Sequence, residues 1–159
     1  MKTTFALLLA VVAFQATPAH AESAVSPLVG RWAIEVATLP IPPEARPKSV
    51  ILEFQDAGNG NWATHVEIVH QSGETMRAEA TLPLDGTPGS IAGNYWADVS
   101  AMKMPAPNVL VMQLVDDGAP ASTRIYSVAA DSGTLTETKA FFGSDGTPIL
   151  QTITFHRVP

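Results

Sequence analysis

From residue 31 onward, apolar and polar side chains alternate in short segments, a period of two that only extended strands with one buried face satisfy. Trp32, Ile34 and Val36 alternate with Arg31, Ala33 and Glu35. Val50, Leu52 and Phe54 do the same, and Gly58-Asn59-Gly60 then supplies residues that tolerate positive φ for a tight reversal. Trp62, Thr64, Val66 and Ile68 oppose Ala63, His65 and Glu67 as far as Ser72-Gly73, after which Met76, Ala78, Ala80 and Leu82 carry the apolar phase. Tyr95–Ala101, Val109–Val115, Thr123–Ala129, Leu135–Phe142 and Ile149–Val158 also read as strands, separated by Pro105-Ala106-Pro107, Asp117-Gly118, Asp131-Ser132-Gly133 and Asp145-Gly146. Two stretches cannot pair regularly: Thr38–Pro47, with four prolines, and the glycine- and proline-rich connection Pro83–Asn94.

The count is about nine strands with no helix beyond the N-terminal segment, an all-β pattern. Short antiparallel strands at hairpin spacing form an up-and-down meander, which buries one apolar face by closing on itself or by stacking two sheets. The short connections favour closure into a barrel of about 8–10 strands over a Greek-key sandwich, and closure also removes exposed edges. The interior of such a barrel is filled by side chains or holds one small ligand.

Residues 1–21 have the form of a cleaved signal peptide: Lys2, an apolar run from Phe5 to Phe14, then Ala19-His20-Ala21 with small residues at the cleavage positions. The apolar run is too short to span about 30 Å of hydrocarbon. The mature chain is expected to begin at Glu22, so that residues 22–159 form a single domain, periplasmic in a Gram-negative bacterium and otherwise secreted. Loss of Lys2 deepens the formal charge of −6 by one, and an acidic chain is a poor partner for nucleic acid. There is no cysteine, which excludes disulfides, thiolate metal sites, cysteine nucleophiles and lipid attachment after cleavage. Stable insertion as a membrane barrel is not expected, because Arg77, Glu79, Arg124 and Lys139 interrupt the apolar sets that would face lipid.

Leu28-Val29-Gly30-Arg31-Trp32 resembles the L-x-G-x-W opening of lipocalins and lipocalin-like barrels. The order of four features, this opening, the Asp85-Gly86 to Gly93-Asn94 connection, the stretch Val128–Thr138 and the ending Phe155-His156-Arg157-Val158, is similar to that of small secreted bacterial lipocalin-like domains of uncharacterised function. Together they span nearly the whole mature chain. Two turns depart from that pattern, at Pro88 and at Asp131-Ser132-Gly133, and altered geometry is expected there. The resemblance implies a calycin-like barrel in which Gly30 and Trp32 plug one end, with a cavity for a small apolar molecule and no catalytic residue to carry over.

Little in the sequence points to chemistry. His65 and His70 are five apart on one strand and face opposite ways, so without a bulge they cannot share a metal, and no metal site or cofactor is expected. His65 with Glu67 reads as a solvated face; His70 falls in the apolar phase at the strand end, where its protonation would tune access to a barrel mouth. Ser90 lacks the strand-to-helix elbow of a hydrolase, and Asp116-Asp117 reads as a turn. The repeated Asp-Gly-Thr-Pro at 85–88 and 145–148 lacks the alternating acids of a calcium loop and reads as one turn type used twice.

Trp62, Tyr95, Trp96, Met112, Tyr126 and Phe141, with His70, are the candidates to line a cavity or its mouth; the alternative is that they are packed core. Either Tyr95 or Trp96 is the inward residue of its segment. Met102 and Met104 beside Pro105 read as a flexible rim. The function these features favour is non-catalytic binding of a small apolar molecule. A filled barrel that contacts another envelope protein and an enzyme acting at the barrel mouth remain the alternatives. A dry, filled interior marks the former, and a perturbed histidine beside a cavity the latter.

Overall fold

The computed structural model describes residues 25–93 and 96–159; the expected signal peptide and Tyr95 lie outside them. Among the described residues, eleven strands form one antiparallel sheet: β1 (Gly30–Ile34), β2 (Ser49–Gly58), β3 (Asn61–Val69), β4 (Thr75–Pro83), β5 (Gly89–Ser90), β6 (Ala92–Gly93), β7 (Val99–Ala106), β8 (Val109–Asp116), β9 (Ala119–Val128), β10 (Thr134–Phe142) and β11 (Pro148–Val158). The order β5-β7-β8-β9-β10-β11-β1-β2-β3-β4-β6 is an up-and-down meander in which the first strand pairs with the last. Trp32 faces Arg157 of β11 on one side and Leu52 of β2 on the other, so β1 brings the two ends of the meander together.

The sheet is nearly closed into a barrel, and its seam lies between β4 and β7. The connection read as irregular from its glycines and prolines contains β5 and β6, two residues each, which add to β7 and β4 respectively. Gly93 sits on β4 at φ +122, and a Cβ there would collide with the Arg77 carbonyl, so the close approach needs glycine.

Alternation determines what is inside. Trp32, Leu52, Phe54, Trp62, Leu110, Leu135 and Phe155 form one buried cluster, and the strand partners between them point outward. The three residues of the β2–β3 reversal, Gly58, Asn59 and Gly60, all have positive φ, as the turn chemistry requires.

Several boundaries differ from the sequence expectation, and β7 runs on through Pro105 to Ala106, so that part of the expected Pro105-Ala106-Pro107 separator is strand. β1 stops at Ile34 rather than Val36, because the Glu35 carbonyl accepts both the Thr38 amide (2.9 Å) and the Thr38 hydroxyl (2.8 Å) and turns the chain into a short 3-10 segment. β7 starts at Val99, so Trp96 precedes the strand and strand phase does not set its direction. β9 reaches back to Ala119 across Pro120, where the register with β8 shifts between Leu114 and Val115 and the missing amide proton is tolerated. Met102 is fully buried and Met104 packs against the core, so neither forms a rim.

Candidate functional site

One end of the barrel is shut. Trp32 is fully buried and its indole N–H donates to the Leu28 carbonyl at 2.9 Å. Arg157 covers it and donates to the carbonyls of Val29 (2.8 Å), Pro27 (2.6 Å) and Ser132 (2.8 Å). Gly30, at φ +130, lies directly against that guanidinium, where a Cβ would meet Nη1. Further in, Phe54 stands between Trp62 (ring centroids 6.0 Å) and Tyr126 (5.2 Å, edge-on), giving the interior an aromatic floor.

Beyond that floor, toward the other end, the interior is open. A cavity of about 270 Å³ runs from exposed Ile41 and Trp96 at the rim to buried Leu52 and Phe155. Ile34, Val50, Val66, Ile68 and Ile153 provide apolar wall, and the proline-rich segment contributes Leu39, Ile41, Ala45 and Pro47 to the mouth. Arg46 holds that segment in place: its guanidinium donates to the carbonyls of Leu39 (3.2 Å) and Ile41 (3.1 Å), and its own carbonyl accepts from Gln71 (3.1 Å).

One side of the cavity is charged. The inward faces of β9 and β10 carry Arg124, Glu137 and Lys139, with Gln151 of β11 beside them. Arg124 Nη1 lies 3.1 Å from Glu137 Oε1, with side-chain exposures of 10% and 5%. A pair this dry is not held together cheaply, since both ions give up hydration. Burial pushes the Glu137 carboxyl above the usual carboxylate range, opposed by the charges of Arg124 and Lys139. Burial likewise pushes the Lys139 ammonium below the usual lysine value, helped by Arg124 and opposed by Glu137. Lys139 Nζ rests 4.3 Å over the ring of Phe141.

His70, Trp96 and Tyr126 line the cavity. Met112 is buried and lines a smaller space of about 30 Å³ adjoining Arg124 and Tyr126. Trp62 does not reach the cavity, because it follows the β2–β3 turn at the shut end and packs as core beneath Phe54. Phe141 lies outside the cavity lining, at the mouth end of β10, under Lys139. Arg124, Glu137, Lys139 and Gln151 are the residues that sequence reading missed. The signal was present: Arg124 is in phase with Tyr126, and Glu137 and Lys139 with Leu135.

His65 and His70 do face opposite ways. His65 Nδ1 lies 3.1 Å from Glu79 Oε1 on the outer face, where Arg77 also pairs with Glu67 at 2.8 Å. Among the described residues no cluster of three or more His, Asp or Glu is arranged to hold a metal ion. The two Asp-Gly-Thr-Pro segments share one turn geometry. Asp85 Oδ1 accepts the Thr87 amide at 2.8 Å and Asp145 Oδ1 the Thr147 amide at 2.9 Å, with Gly86 and Gly146 both at positive φ. Among the described residues no helix is long and apolar enough to cross a membrane.

No protein-family model matches the chain, and no curated protein matches it significantly.

Proposed function

We propose that this protein is a non-catalytic, lipocalin-like carrier, secreted or periplasmic after removal of residues 1–21, that holds one small, largely apolar molecule inside its barrel. The observation that carries this reading is the cavity of about 270 Å³, walled mainly by aliphatic side chains. A filled module has no use for such a space, and apolar concavity with a few convergent polar groups is what small-molecule sites share. The segment Thr38–Pro47 supports the same reading, since its apolar residues contribute to the cavity instead of facing away from it.

Native mass spectrometry of the protein purified gently from its own compartment, with organic extraction of co-purifying material, tests the proposal. The expected result is a small apolar mass, stoichiometric with the chain and lost on denaturation. A clean apo mass that stays apo when fatty acids, quinones and isoprenoids are added would overturn it and favour a protein-contact role.

A further inference from the structure

The charge inside the cavity does not balance. The charged residues lining it are Arg124, Glu137 and Lys139, with His70 at the rim. Glu137 is committed to Arg124 at 3.1 Å, and Lys139 has no carboxylate within ion-pair distance among the described residues. Among those three side chains of the described residues, that leaves one positive charge beyond the ion pair, on the polar side of a cavity whose opposite wall is aliphatic. Lys139 is fixed there: it lies opposite Arg124 on β9 and opposite Gln151 on β11, with its ammonium over Phe141. A desolvated cation beside a cavity gains most from an anion that arrives already attached to an apolar body.

Resting on the carrier reading above, we infer that the molecule this cavity takes is a monoanionic amphiphile, a carboxylic acid with a medium-length aliphatic chain, whose carboxylate is received at Lys139. One surplus charge matches a carboxylate better than a doubly charged phosphate. The volume is just below the ~300–1,000 Å³ of drug-sized sites, which favours a medium chain over a long one. Gln151, which shares that wall, offers a neutral amide donor beside the ammonium. The apolar chain then lies along Val50, Val66, Ile68 and Ile153.

Calorimetric titration of the processed protein with decanoate, decanol and decylammonium at neutral pH tests this. Decanoate is expected to bind more tightly than decanol by about tenfold or more, with decylammonium weakest. Lys139→Met is expected to abolish the preference of decanoate over decanol, and Lys139→Arg to retain it; matching urea denaturation curves for the two variants separate this from misfolding. Equal binding of decanoate and decanol, or a preference for decylammonium, overturns the acid inference and leaves the carrier reading standing. If none of the three binds, the acid inference falls, and the carrier reading stands or falls on the native mass measurement alone.

Discussion

Arg157 lies with its guanidinium 4.1 Å over the ring of Trp32, joining the last strand of the barrel to the first. The contact also seals the shut end, because the same guanidinium ties down three backbone carbonyls from two other segments. Arg157→Ala is therefore expected to destabilise the protein by about 2 kcal/mol, from lost charge-assisted hydrogen bonds and the cation–π contact. Arg157→Lys should recover only a small part, since an ammonium lacks the planar fork that spans Pro27, Val29 and Ser132. Urea denaturation measures both; a loss below about 0.5 kcal/mol for the alanine variant would mean that Trp32 packing alone closes this end.

The Arg124–Glu137 pair calls for a double-mutant cycle. Removing one partner, as in Arg124→Met or Glu137→Met, takes the ion pair away from a charge in a dry interior and is expected to cost about 3–5 kcal/mol. The double variant should lie well below the sum of the two, because two apolar side chains of similar size bring no such penalty. Additive losses would show that the two ions do not depend on each other.

Acid stability should report the repeated turns. Hydrogen bonds from Thr87 and Thr147 hold the Asp85 and Asp145 carboxyls below their ordinary value of 3.8. For a depressed carboxyl the stabilisation is present above the unfolded value and is lost as pH falls through the folded one. Asp85→Asn with Asp145→Asn should therefore flatten the acid limb of a stability profile. Glu137 acts with the opposite sign: its carboxyl is raised, so its contribution is present below 4.5 and fades as pH rises through the folded value. A profile for the double asparagine variant that overlays the wild type would remove the turns from this account.

If Lys139 receives a carboxylate, binding depends on pH from the alkaline side. Its ammonium titrates below the ordinary lysine value of 10.5, so decanoate affinity should decline as pH climbs toward that value while decanol affinity stays level. Titrations at a series of pH values check this, and a parallel decline for both ligands would point to loosening of the barrel instead.

Narrowing the cavity should act on both ligands alike. Val66 lines the main cavity and the smaller space next to it, and Val66→Phe is expected to weaken decanoate and decanol together by about tenfold or more. Unchanged binding would place the ligand outside the barrel.

The strands, their inward faces and the turns between them were legible in the chain, because period two and turn chemistry are local properties. Trp32, Phe54 and Leu135 on the buried faces of their strands, and the shared turn at Asp85 and Asp145, follow from residues within a few positions of one another, whereas the plug role of Trp32 was implied only by the resemblance of its opening motif. Two things were not local. Phase says that Arg124, Glu137 and Lys139 face inward, but only the register of β9 against β10 sets Arg124 beside Glu137 and leaves Lys139 without a carboxylate. The direction of each strand relative to the shut end then separates Trp62, which is core, from Tyr126, which meets the cavity. The sequence by itself determined which face of each strand is buried, since that depends on alternation alone. Where along the barrel the interior is filled and where it is open was decided only by closure, which brings β11 onto β1 and sets opposite walls at a distance that no local pattern encodes.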